Sequence, residues 1–114
     1  MSKKKQGHEH FCGVEAAQAS NATLVGLWFH SRKAGVIDWQ GRVLRRLDTG
    51  SYVVQLFEWA LGRPSVQQVV SFDQMQDWDF YPTDFAMRRA WSKSQGESEE
   101  DFEWSEKVVE ALRA

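Results

Sequence analysis

Apolar residues gather in short runs over the first two thirds of the chain and recur at helical spacing in the last third. After the turn chemistry of Ser20-Asn21-Ala22-Thr23, the residues Leu24, Val25, Leu27, Trp28 and Phe29 predict a first strand over 24–30. Gly35 makes the next turn, and residues 36–47 predict a second strand. Strict alternation there would place Val43, Arg45 and Leu47 on one face and Arg42, Leu44 and Arg46 on the other. The turn Asp48-Thr49-Gly50 leads to a third strand over 51–59. Its Tyr52, Val54 and Leu56 share one face and its Val53, Phe57 and Trp59 the other, so one face suits a core and the other asks for a cover. Gly62 and Pro64 mark a loop before a fourth strand over 65–70. Ser71-Phe72-Asp73-Gln74 has the spacing of a helix N-cap box and predicts one helical turn to Asp77. Trp78-Asp79-Phe80-Tyr81 then alternates as a short fifth strand, stopped by Pro82.

Five short strands with a helical turn before the last describe a mainly β fold, a five-stranded SH3-like barrel, and Gly41 within Trp39-Gln40-Gly41 supplies the kink a strongly bent sheet needs. Beyond it, Thr83 is an N-cap for an amphipathic helix to Ser94, with Phe85, Met87, Ala90 and Trp91 on its apolar side and Gly96 after its end. A second helix over 98–112 is acidic in its first turn and has Lys107 and Arg113 later, as the helix dipole favours. The arc formed by Phe102, Trp104, Val108, Val109, Ala111 and Leu112 is wide for a solvated helix and predicts docking on Phe57 and Trp59, or on another protein. The expected organisation is a flexible arm over 1–19 with a short frayed helix over 14–19, a barrel over 20–81 and a helical extension, one or two α-helices, over 82–114.

The length of 114 residues allows one domain with a modest core. Six Trp and seven Phe exceed what such a core readily buries, which points to a protein-binding surface made of Trp39, Tyr52, Phe57 and Trp59. The net charge of −2 combines Lys3, Lys4 and Lys5 at the start with Glu97, Glu99, Glu100, Asp101, Glu103 and Glu106 near the end. Between Leu24 and Tyr81 the charges cancel, so net charge does not indicate a broad nucleic-acid-binding face. A local phosphate-binding group of Arg42, Arg45 and Arg46 remains, with Arg32 and Lys33 nearby and Trp28, Trp39 or Tyr52 available to stack on bases. The acidic second helix reads first as a solvated face, and alternatively as a phosphate mimic that inhibits a host nucleic-acid enzyme. A single cysteine, Cys12, excludes an internal disulfide, and the start of the chain lacks the apolar run of a secretory signal. No stretch approaches the ~20 apolar residues of a membrane span, so the cytoplasm is the expected compartment. His8-x-His10-x-Cys12 has metal-ligand residue types, but a fourth ligand is missing and His30 lies in a strand, so no metal is assigned. With three His and no Ser-His-Asp arrangement or phosphate-cradling glycine loop, no catalytic residue and no cofactor are assigned either.

The order Ser20-Asn21-Ala22-Thr23, Lys33, Gly35, Trp39-Gln40-Gly41, Tyr52, Val54 and Ser65-Val66-Gln67 resembles the plasmid- and integron-borne type II dihydrofolate reductases over residues 20–71. The resemblance implies an SH3-like subunit from a mobile genetic element, and a homo-oligomer of four subunits around one pore that binds NADPH and dihydrofolate. In that family a Val-Gln-Ile-Tyr run lines the pore and a Lys steers the ligands. Here Lys33, Val66, Gln67 and Gln68 are the ligand or pore candidates, while Gln68 stands at the Ile position and Val69 at the Tyr position. Loss of the Tyr hydroxyl and the Ile packing weakens the expectation of hydride transfer, which in such a site depends on positioning. The barrel also resembles Tudor-type readers of methylated Lys or Arg, with Trp28, Trp39, Tyr52 and Phe57 as cage candidates. The leading expectation is a non-catalytic binding or adaptor protein; NADPH enters only with the reductase alternative.

Overall fold

The computed structural model describes residues 10–113, so Lys3, Lys4, Lys5 and His8 lie outside the described residues. Six strands form one antiparallel sheet: β1 (Phe11–Cys12), β2 (Trp28–Lys33), β3 (Val36–Arg46), β4 (Tyr52–Phe57), β5 (Pro64–Val70) and β6 (Asp79–Tyr81). Three α-helices accompany them, α1 (Gly13–Ala19), α2 (Asp84–Ser94) and α3 (Glu99–Arg113), with a 3-10 turn at Asp73–Met75. The strand order is β1-β6-β2-β3-β4-β5. The expected five-stranded barrel is therefore, among the described residues, an open six-stranded sheet. Its closing strand, β6, has its outer edge occupied by β1, where Phe11 pairs with Phe80 and Cys12 with Asp79.

One face of the sheet carries the main core. Phe29, Val43, Val54 and Phe80 are fully buried there with Met75, and Trp78 stacks on Phe29 at 4.7 Å. Helix α1 closes one end, with Val14 and Ala17 fully buried in the same cluster. Gly13 lets the chain turn from β1 into α1: its φ is +84°, and a Cβ would meet the carbonyl oxygen of Gln76 at 2.8 Å. The segment that reads as an arm is thus, from Phe11 onward, packed against the sheet. Leu24 and Leu27 precede β2 rather than belonging to it, yet both are buried, because Gly26 and Leu27 exchange backbone hydrogen bonds with Val43.

Register shifts interrupt three strand pairs, between His30 and Arg32, between Val43 and Arg45, and between Gln55 and Phe57. Each adds local twist, which is how so few strands bend around a core. The shift after Val43 has a consequence for the arginines: Arg42 lies opposite Gln55 and Arg45 opposite Val53, so these two share a face, while Arg46 opposite Tyr52 takes the other. Simple alternation predicted Arg42 with Arg46.

The second face of the sheet is covered by helices. The cross-strand row Cys12, Asp79, His30, Gln40 and Phe57 runs over it from β1 to β4. Helix α2 begins at its Thr83 cap, whose hydroxyl accepts from the Ala86 N–H at 3.1 Å, and buries Ala86 and Met87 against Tyr81 and Trp28. Its Trp91 packs on Trp59 with ring centroids 4.5 Å apart and planes tilted by 32°. The cover over Trp59 is therefore α2; α3 instead packs Phe102 on Phe85 of α2, with ring centroids 5.3 Å apart. Arg88 joins Glu106 by two hydrogen bonds of 2.7 and 2.8 Å, and Arg113 donates to the Leu61 carbonyl at 2.8 Å. Among the described residues no helix is long and apolar enough to cross a membrane.

Gly41 is the close approach on which the bend turns, because a Cβ there would run into the Gln55 carbonyl and the Phe29 ring. Gly41→Ala is expected to destabilise the fold by about 1–3 kcal/mol, the usual cost of overpacking. Urea denaturation followed by Trp fluorescence measures it, and an unchanged midpoint would show that the β3–β4 backbone and the Phe29 ring both give way without cost.

Candidate binding surface

The β5 edge departs most from what a finished sheet needs. Every residue of β5 from Pro64 to Val69 is exposed, and only Val70 is buried. Val66 is 53% and Val69 63% exposed, although both have β-branched apolar side chains. The strand carries no charge, and one of its two edges pairs with β4 while the other ends the sheet. Exposed edges in native proteins are commonly blunted by Lys, bulges or short length; β5 has Pro64 at its start and the register shift opposite Gln55 and Phe57, but no Lys and seven residues of length. Opposite Gln67, Gln55 accepts a side-chain hydrogen bond from it at 3.2 Å and donates to the carbonyls of Leu56 and Val66. Those bonds hold the glutamine row in place beside the open edge.

Next to β5, a hollow of about 320 Å³ opens on the core side of the sheet. Arg32, Lys33, Asp38, Trp39, Gln68 and Gln74 form its rim, with Phe29, Val54 and Val70 among its walls. Three sequence-predicted residues meet here: Lys33 and Gln68 from the pore candidates, and Trp39 from the aromatic candidates. Trp39 is 43% exposed, and its backbone N–H donates to the Ser31 hydroxyl at 3.0 Å, which anchors the strand under it. Val66 and Gln67 lie on the adjoining edge. Gln74 reads from the sequence as part of the Ser71–Gln74 cap box and Asp38 as a candidate carboxylate, and nothing local marks either as a rim residue.

The other aromatic candidates do not join this surface. Tyr52 is 6% exposed and belongs to the core, because its face of β4 packs inward opposite Val70, which corrects its assignment to a partner surface. Phe57 packs on Trp28 at 5.3 Å on the helix-covered face. Trp59 is 38% exposed but packed on Trp91, beside a separate groove of about 230 Å³ between sheet and helices. The three arginines are also dispersed. Arg42 sits over the Trp28 ring at 4.9 Å and donates to the Gly26 carbonyl, and Arg46 faces away from it. On α3 and before it, Glu99 pairs with Arg89 and Lys93, Glu106 with Arg88, and Glu97 accepts from the Ser92 hydroxyl, so part of the acidic run is neutralised within the molecule.

Beneath the helices lies a polar cluster that positions β6. Arg32 grips one carboxylate oxygen of Asp79 through Nε and Nη2, at 2.9 and 2.6 Å. Burial would raise the Asp79 carboxyl, but the hydrogen bonds from His10 and Arg32 and the charge of Arg32 outweigh it and hold the group below the usual aspartate value. His30 is fully buried; its Nδ1 is 2.7 Å from the Tyr81 hydroxyl, and its Nε2 has no hydrogen-bond partner among the described residues. Burial pushes its pKa down to about 4, against an opposing pull from the Asp79 charge. Burial, and then the Asp79 charge, push the Tyr81 hydroxyl well above its ordinary value.

Compared with known protein families, with curated proteins and with solved structures, the chain finds no match.

The His30 environment fixes a pH response. Its folded pKa of about 4 lies below the unfolded value of 6.5, so the folded state keeps the ring neutral while the unfolded chain takes up a proton. Its contribution is complete above pH 6.5 and is lost as pH falls towards 4. Within that window the unfolding free energy is expected to fall by up to about 1.4 kcal/mol per pH unit. Urea titrations at successive pH values measure the slope, and His30→Gln should flatten it; equal slopes in both proteins would sink the assignment.

Proposed function

We propose that the protein is a non-catalytic binding module in which an SH3-like sheet takes an extended segment of a protein partner onto the β5 edge. The observation that carries this reading is the exposure of β5 on both faces along an uncharged strand that ends the sheet. Main-chain hydrogen bonds along such an edge supply affinity, and pockets for alternate side chains supply selectivity. The hollow at Trp39, Lys33 and Gln68 is the pocket beside it, with Trp39 as the aromatic anchor. A polar partner side chain suits a rim where Lys33 and Asp38 stand with two glutamines and the guanidinium of Arg32 is taken up by Asp79 and the Gly35 carbonyl.

A tagged pull-down from host lysate, with and without nuclease, tests the reading. One discrete protein should be recovered in both arms and lost with Val69→Lys or Trp39→Ala. Both positions are exposed, so stability should stay within about 0.5 kcal/mol of the parent. Capture that persists in both variants, or that needs nucleic acid, would overturn it.

A second reading, the pore-forming reductase of the type II resemblance, is favoured by one observation: Lys33 and Gln68 line a single hollow, with Val66 and Gln67 exposed on the adjoining edge. It requires a tetramer and NADPH oxidation by dihydrofolate that disappears in Gln67→Ala. A monomer without turnover removes it.

A further inference from the structure

Three side chains with metal-ligand chemistry converge at the β1 end of the sheet, on the face away from the main core. Cys12 and Asp79 are directly opposed in the β1–β6 pair, and His10 precedes Cys12 by two residues, which brings all three to one side of the strands. Their donor atoms lie within 4.8 Å of one another. His10 Nε2 is 3.3 Å from Asp79 Oδ1 and 3.6 Å from Cys12 Sγ. Around a tetrahedral zinc ion with ordinary bond lengths, adjacent N and O donors stand about 3.4 Å apart and adjacent N and S donors about 3.6 Å apart. Both measured separations match those edges.

We propose that His10, Cys12 and Asp79 form a binding site for a divalent transition metal of the zinc class, with a fourth position open to solvent. The mixture of imidazole, thiolate and carboxylate suits that class over calcium or magnesium, which take oxygen donors, and one cysteine is too few for an iron–sulfur cluster. The surroundings orient the ligands. Arg32 occupies Asp79 Oδ2 alone and leaves Oδ1 to point at His10, and Tyr81 stacks on the His10 ring at 5.0 Å. His10 and Cys12 are exposed, so the ion has an entry path and a place for a water or an external ligand. A thiolate and a carboxylate together neutralise a divalent ion, which leaves the guanidinium of Arg32 as the one net charge of the cluster. Without the ion, burial first and then the Asp79 charge raise the Cys12 thiol above its ordinary value, so binding must release the thiol proton to solvent.

Cobalt(II), a spectroscopic substitute for zinc, provides the test on the full chain. One equivalent should bind with a thiolate-to-metal charge-transfer band and tetrahedral d–d bands, release a proton and be displaced by zinc. Because the ligands come from both β1 and β6, the metal should also raise the melting temperature. Cys12→Ser should abolish the charge-transfer band, and His10→Ala should weaken binding by more than about tenfold, the scale expected when the ligand set is disturbed. Asp79 is buried against Arg32, so Asp79→Asn is read beside a second measurement, the band in urea-unfolded protein. Loss of the band on unfolding supports the folded site. A band that survives in urea, that follows His8→Ala rather than His10→Ala, or that never forms would overturn it.

Discussion

A buried carboxylate on a three-residue strand organises the molecule. Asp79 lies between β1 and β2, opposite Cys12 on one side and His30 on the other, and its charge is carried into the interior by the paired hydrogen bonds of Arg32. Asp79 is buried while Arg32 is partly exposed, so removing Arg32 leaves the carboxylate short of its hydrogen bonds, a loss of about 1–3 kcal/mol, and the strand cannot easily be rebuilt around another residue. Much else depends on this position. β6 receives β1 on its outer edge, which brings α1 over the core, and it ends two residues before the Thr83 cap that starts α2. The neutral state of His30 belongs to the same arrangement, because its ring is enclosed by Tyr81, Trp59 and Trp91 above the strand that holds Asp79.

The parts legible in the sequence are those set by local chemistry. Thr83 as a cap, Met87 and Trp91 on one side of a helix, Ser71 and Gln74 bonding each other's backbone N–H groups, and the strands through Phe29, Val43 and Val54 all follow from short-range pattern. What stayed hidden depends on long-range pairing. β1 has only two residues, too few for any period, and exists because β6 offers an edge. The bulge after Val43 reverses the face of Arg45 and Arg46, and alternation has no means of locating such an extra residue. Likewise, the sequence reading of His8, His10 and Cys12 found no further ligand-type residue nearby, because Asp79 comes beside His10 and Cys12 only across a strand pair, 67 residues after Cys12.

The two ends of the sheet are treated differently, and this difference locates the exposed surface. At the β1 end the edge is two residues long, continues at once into α1 through Gly13, and carries a charged, hydrogen-bonded cluster. Short length and charge are both known protections against edge-to-edge pairing. At the β5 end the edge runs for seven residues with Val and Gln side chains on its two faces. The contrast within one sheet leaves β5, among the described strands, as the long exposed edge.

The abundance of tryptophan bears on the same point. Trp78 packs on Phe29 in the main core, Trp28 lies under Arg42 and beside Phe57, and Trp59 and Trp91 hold α2 to the loop after β4. Four of the six are thereby committed to joining elements within the molecule. The remaining pair are Trp39, on the rim of the hollow beside β5, and Trp104, 68% exposed on α3. An aromatic cage built from Trp28, Trp39, Tyr52 and Phe57 cannot form, since Tyr52 points into the core while Trp28 and Phe57 lie under the helices on the opposite face. The helical extension therefore has a definite structural effect: it takes up the aromatics of one face, and of the six tryptophans leaves Trp39, beside the β5 edge, and Trp104 outside those packed pairs.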